Sequence, residues 1–97
     1  MNKNFVVEIL KNCRFWKAGT IVTFKYQDWE LILKKEEPIY KPFIFAINGK
    51  KSNSNETISR RFISAEMAFL YILNGFNENC NVKNKYQSLE DAFKVME

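Results

Sequence analysis

Apolar residues recur with a helical spacing across residues 64–76, the most apolar stretch of the chain. The positions i, i+3, i+4, i+7, i+8 and i+11, which share one face of a helix, hold Ala65, Ala68, Phe69, Ile72, Leu73 and Phe76. Ser64 can accept an amide of the first turn, and Gly75 can adopt the left-handed conformation that ends a helix. The pattern predicts a helix that covers the strands preceding it.

This helix carries a second apolar set, and its role has two interpretations. Met67, Leu70 and Tyr71 are either covered by the end of the chain or exposed as a docking surface. Arg60 and Arg61 lie shortly before the helix, and arginine and tyrosine are favoured at the energetic centres of protein interfaces. The second interpretation predicts protein binding by these five residues.

Alternating apolar and polar positions predict strands upstream of the helix. The predicted strands are residues 5–11, 20–26, 29–34 and 43–47, the last ended by a turn at Asn48 and Gly49. Gln27 and Asp28 form either a hairpin loop or the bend of a single strand. Residues 57–63 are either a strand or an extra helical turn, and the sheet face that the helices cover is also left open.

The end of the chain predicts a short amphipathic helix. Ser88 and Asp91 resemble a capping box, and an apolar set follows at Leu89, Ala92, Phe93 and Met96. The expected fold is therefore α+β: a small three- to four-stranded, mainly antiparallel sheet followed by two C-terminal helices packed on one face. At 97 residues we expect a single domain, 1–97, with one modest core.

Export and membrane signals are not expected. No apolar run approaches the roughly 18–20 residues of a membrane span. The N-terminal apolar stretch is short and interrupted by Glu8, unlike a signal peptide. Cys13 and Cys80 are far apart in sequence and are expected to be reduced thiols, so the predicted compartment is the cytoplasm.

Composition disfavours most catalytic chemistry. The chain has no histidine, which excludes Ser-His-Asp and Cys-His systems and most catalytic zinc sites. Its three glycines are too scattered for a phosphate-binding loop. We expect no metal, no cofactor and no enzymatic activity, with a carboxylate-dependent enzyme as the third hypothesis.

Positive charge is concentrated in the first two thirds of the chain. The overall net charge is +4, and residues 1–63 hold twelve Lys and Arg against six Asp and Glu. Cations alternate with aromatic rings at Arg14, Phe15, Trp16 and Lys17, a combination that suits single-stranded nucleic acid; Lys50 and Lys51 add charge nearby. A nucleic-acid-binding module is the second hypothesis; in the competing interpretation, Phe15 and Trp16 pack against the body.

The chain is rich in Lys, Asn, Ile and Phe, is shorter than 100 residues and is expected to combine one small sheet with helices. In size and style, without a shared motif, it resembles small inhibitor proteins of phages and mobile elements, anti-CRISPR proteins among them. Members that mimic DNA are acidic, whereas this chain is basic. The resemblance implies a binding protein that inhibits or modulates a bacterial protein or nucleoprotein complex by occupying its surface, and this is the leading hypothesis.

Overall fold

A computed structural model describes residues 1–39, 42–77 and 85–96. Helix α1 (Lys3–Asn12) and a short 3-10 turn (Cys13–Phe15) come first. Four strands follow: β1 (Ile21–Tyr26), β2 (Trp29–Glu36), β3 (Ile44–Lys51) and β4 (Thr57–Phe62). Helices α2 (Ala65–Leu73) and α3 (Leu89–Phe93) come last. The strands form one antiparallel sheet in the order β1-β2-β3-β4, which confirms the α+β class.

The predicted first strand, residues 5–11, is wrong because this segment forms α1. The Asn2 side chain caps the helix by accepting the Phe5 amide at 2.9 Å. Val6 and Ile9 are buried in the core that includes sheet residues, and Cys13 extends the same stripe. Burial of this stripe outweighs the weak strand preference of the β-branched residues. A helix therefore precedes the sheet as well as following it.

The strands resolve two alternatives and correct one prediction. Gln27 and Asp28 form a hairpin loop, with Gln27 in the left-handed region at φ 55°. Residues 57–62 form β4 rather than a helical turn. The predicted turn at Asn48 and Gly49 is wrong, because β3 continues through both. Gly49 serves close packing there: a Cβ would lie 2.5 Å from Leu31 Cδ2.

The predicted starts of both C-terminal helices and the predicted end of α2 are confirmed, whereas α3 ends at Phe93, before the predicted apolar position Met96. The Ser64 hydroxyl accepts the Met67 amide at 3.2 Å at the start of α2. At its end, Gly75 at φ 73° and Phe76 donate to the carbonyls of the last turn, in the pattern of a Schellman motif. Ser88 caps α3 by accepting the Asp91 amide at 3.3 Å.

The core lies between the helices and one face of the sheet. Three rings pack against one another in tilted and edge-to-face arrangements: Phe5 of α1, Phe24 of β1 and Phe69 of α2, with centroids 5.2–6.5 Å apart. Leu31, Leu33, Phe45 and Ile47 complete the sheet side of the core. Within the described ranges, no helix is both long enough and apolar enough to cross a bilayer.

Candidate protein-binding face of the sheet

The strand register assigns every strand residue to one of two faces. Val22 pairs with Leu33, which pairs with Ile47, and these side chains share the face covered by the helices. The alternate positions form the opposite face, which we call the open face. Its residues are Ile21, Thr23, Lys25, Glu30, Ile32, Lys34, Glu36, Ile44, Ala46, Asn48, Lys50, Thr57, Ser59 and Arg61.

The centre of the open face is apolar, although it is bordered by polar groups. Ile32 lies on an inner strand between Thr23 and Asn48, and 40% of its surface is exposed. A shallow trough of about 660 Å³ surrounds it. Ile21 adds a second apolar side chain that is 58% exposed. An apolar centre within a polar rim is the usual anatomy of a protein interface.

The open face is positively charged. It carries four cations and two carboxylates, of which Lys25 lies 4.0 Å from Glu30 and Arg61 lies 3.0 Å from Glu36. Lys34 and Lys50 make no ion pair with any residue that the structure describes. Exposed ion pairs of this kind exchange at little cost. The face therefore complements a surface that is acidic around an apolar centre.

Among the residues that the structure describes, no strand residue projects an aromatic ring from the open face. The aromatic residues of the strands all lie on the covered face: Phe24, Tyr26, Trp29, Phe45 and Phe62. Single-stranded nucleic acid is commonly held by bases stacked on exposed rings. The open face therefore lacks the platform that such binding uses, although it has the cations.

The predicted docking residues on α2 do not form one exposed surface. Tyr71 is only 9% exposed, and its ring packs 5.1 Å from that of Phe62 and 5.6 Å from that of Phe76. Leu70 is half-buried, whereas Met67 is exposed. Tyr71 thus belongs to the core, and its ring contacts come from β4 and from Phe76 just after α2.

The two predicted arginines lie side by side on β4 but on different faces. Arg61 projects from the open face, whereas Arg60 shares the covered side with Ile47 and is itself exposed. Because β4 has a single neighbour, β3, both arginines stand at an edge of the sheet.

The predicted nucleic-acid-binding residues are divided between the two ends of the sheet. Phe15 is exposed, with the Arg14 guanidinium 4.6 Å from its ring, whereas Trp16 packs against the core and Lys17 is exposed. These residues lie near the end of β2, beside Lys35. The other two, Lys50 and Lys51, end β3 at the opposite end of the sheet. Lys51 is within 3.9 Å of both Asp28 and Glu56, and only Lys50 belongs to the open face.

A buried cation fixes α1 to the sheet. Lys35, 2% exposed, donates from Nζ to the Cys13 carbonyl at 2.8 Å and to the Arg14 carbonyl at 3.2 Å. Its ammonium also lies 4.1 Å from the centre of the Phe43 ring. The cation thus serves carbonyls at the C-terminal end of the helical segment, where the backbone is partially negative. Sequence reasoning missed this residue, which lies within a charged run.

The described thiol and acidic groups offer little chemistry. Burial raises the pKa of the Cys13 thiol, and the nearby Glu66 carboxylate adds to the rise, so Cys13 is a poor nucleophile. Cys80 lies outside the described residues. Among the described residues, no three of the usual ligand side chains cluster in a way that could hold a metal ion. Within this part of the chain, the open face is the strongest candidate for a functional site.

No protein-family model, curated protein or solved structure matches this chain.

Proposed function

We propose that this chain is a non-enzymatic binding protein that inhibits or modulates a bacterial protein or nucleoprotein complex by occupying its surface, in the manner of anti-CRISPR proteins. The open face is the contact surface. The observation that carries the proposal is the uncovered sheet face, with exposed Ile32 at its centre and cations around it. The partner surface is a protein surface that is acidic and has an apolar patch.

The charge and the lack of rings together favour protein over nucleic acid as the contacted molecule. Cations alone would serve either partner, because both phosphates and carboxylates are anionic. The apolar centre favours a protein, since exposed isoleucines bind phosphate backbones poorly. Every strand aromatic lies on the covered face, so the open face lacks the stacking platform that nucleic acid would use.

Affinity capture from bacterial lysate, with and without nuclease, tests the proposal. Tagged wild-type protein is compared with Ile32→Asp and with Met67→Asp. The two variants change net charge equally at exposed positions on opposite sides of the molecule. A carboxylate buried at the interface centre loses on the order of 2–3 kcal/mol, which is at least about thirtyfold in affinity.

The expected result is a stoichiometric protein partner that survives nuclease, is retained by Met67→Asp and is lost by Ile32→Asp. Thermal unfolding of both variants checks that each remains folded. Loss of every partner on nuclease treatment would contradict the proposal and favour nucleic-acid binding. Equal capture by both variants would show that the open face is not the contact.

A further inference from the structure

The two edges of the sheet are not equivalent. The Lys35 amide donates to the Thr20 carbonyl at 3.0 Å. Because hydrogen-bonded pairs recur at every second residue of an antiparallel ladder, the backbone groups of Ile21, Thr23 and Lys25 point away from β2. The N-terminal ammonium of Met1 lies 3.5 Å from the Lys25 carbonyl and so occupies part of that edge. The outward backbone groups of β4 have no such contact with a described residue.

The phase of the β3–β4 ladder shows which β4 groups face outward. Lys51 donates its amide to the Glu56 carbonyl at 3.1 Å, so hydrogen-bonded pairs recur at every second residue from there. The backbone groups of Thr57, Ser59 and Arg61 therefore point away from β3. All three residues are exposed, and no described residue hydrogen-bonds to their outward amides or carbonyls.

Charge decides between two occupants of this edge. Antiparallel pairing of two copies about Ser59 would place Arg60 of one copy diagonally across from Arg60 of the other, and each Arg61 would add positive charge along the same seam. Such like-charge contacts at an edge oppose self-association. A segment with carboxylates has the opposite effect, and the exposed Arg61–Glu36 pair can exchange Glu36 for an incoming carboxylate at little cost.

An apolar notch continues the edge at its C-terminal end. It is lined by Pro42, Phe43 and Ile63 together with Arg61, and Ile63 is 75% exposed. Its volume is about 280 Å³, which is enough for an aliphatic side chain. One end of a strand added to β4 would lie beside this notch.

We propose that the β4 edge accepts an extended acidic segment of the partner protein as a fifth strand, with an apolar residue of that segment in the notch. Strand addition draws affinity from backbone hydrogen bonds and specificity from side-chain pockets. Here the outward backbone groups of Thr57, Ser59 and Arg61 supply the hydrogen bonds. The Arg61 side chain and the notch supply the specificity. The inference rests on the proposed function, since it takes the partner to be a protein.

The first test uses a synthetic peptide of about eight residues that alternates threonine with glutamate and ends in leucine, roughly matching the length of a strand. Binding is followed by backbone amide chemical shifts of the full chain. A matched peptide has lysine in place of each glutamate. We expect saturable shifts at β4 amides with the acidic peptide and about tenfold weaker binding of the lysine peptide.

Proline substitution separates the edge from the rest of the molecule. Ser59→Pro removes an outward amide while sparing the ladder to β3, because proline is tolerated on the solvent side of an edge strand. Ala18→Pro is the control, because Ala18 is exposed and lies in the turn that the Thr20 amide closes on the Lys17 carbonyl, where proline is tolerated. Acidic-peptide binding should fall about tenfold or more in Ser59→Pro and stay unchanged in Ala18→Pro. If Ser59→Pro does not fold, the double variant Arg60→Glu, Arg61→Glu replaces it, with the same loss expected.

Three results would overturn the edge proposal: no β4 shifts at millimolar acidic peptide, equal binding of the lysine peptide, or undiminished binding by Ser59→Pro. The captured partner separates this failure from that of the proposed function. A partner lost by Ile32→Asp but fully retained by Ser59→Pro would overturn the edge proposal alone. Capture that is indifferent to Ile32→Asp would instead count against the open face.

Discussion

Replacing the buried Lys35 with methionine tests how α1 is joined to the sheet. The ammonium makes two hydrogen bonds, at 2.8 Å to the Cys13 carbonyl and 3.2 Å to the Arg14 carbonyl. The Cys13 carbonyl keeps a second donor, the Trp16 amide at 3.2 Å, so the Arg14 carbonyl loses more. Methionine has a similar length and no cavity is created, which isolates the polar contribution.

The expected loss follows from these contacts. A hydrogen bond to a charged group contributes about 1.5–3 kcal/mol, and the partly buried Arg14 carbonyl, left without this donor, costs up to about 1–3 kcal/mol. Methionine recovers part of this loss because it needs no desolvation of an ammonium. The net prediction for Lys35→Met is a fall of about 2–4 kcal/mol in the free energy of unfolding.

Urea unfolding followed by tryptophan fluorescence measures this change, since Trp16 adjoins the Lys35 contact and Trp29 lies on β2. Lys34→Met is the matched control because Lys34 projects from the open face of the same strand; its change should stay within about 0.5 kcal/mol. Equal or greater stability of Lys35→Met would contradict this prediction. It would show that desolvation of the ammonium outweighs its hydrogen bonds.

Three further changes test the packing and the titration of the core. Tyr71→Ala should lower the free energy of unfolding by about 3 kcal/mol because the ring is buried, whereas Met67→Ala, at an exposed position, should lower it by less than about 1 kcal/mol. Equal losses would contradict the burial of Tyr71. Gly49→Ala should cost about 1–2 kcal/mol by urea unfolding, since its Cβ would meet Leu31, and a neutral result would show that Leu31 moves aside freely. Because burial raises the pKa of Cys13 above its usual 9.0, the folded state holds this proton more tightly than the unfolded state does. The stability that this difference contributes is complete below about pH 9 and is lost as pH rises through the folded-state pKa. The free energy of unfolding of the wild type should therefore fall more steeply in alkali than that of Cys13→Ala. Parallel curves of stability against pH would contradict this prediction.

Periodic segments with end signals were predictable from the sequence. The α2 helix has a helical apolar stripe between Ser64 and Gly75, and both predicted caps are present. The strands β1 and β2 followed from their alternation, whereas the hairpin loop between them was one of two alternatives because it contains no glycine. In both cases the local preference and the buried face agree, so one segment of sequence suffices.

Elements defined by distant contacts could not be predicted in this way. Residues 5–11 fit both a strand and a helical period, and only burial of Val6 and Ile9 beneath the sheet favours the helix. Gly49 resembles a turn residue beside Asn48, yet its role is to admit Leu31 from the neighbouring strand. Lys35 lies in a run of charges typical of a solvated loop. Its burial depends on carbonyls more than twenty positions away in sequence.

The candidate site was only partly accessible from the sequence. Alternation separated Ile21 and Thr23 from Val22 and Phe24, and Ile32 from Leu31 and Leu33, but it did not show which set the helices cover. The more apolar and aromatic set is the covered one, and this difference was the available signal. The docking set on α2 failed to form a surface because Tyr71 fills the space between β4 and Phe76.

Site-specific photocrosslinking in bacterial cells tests the open-face proposal most directly. A benzophenone amino acid is placed at Ile32 on the open face and, as the control, at Met67 on α2. We expect a discrete, nuclease-resistant protein adduct from position 32 and none from position 67. An adduct from position 67 alone, or a nuclease-sensitive adduct from position 32, would contradict this expectation.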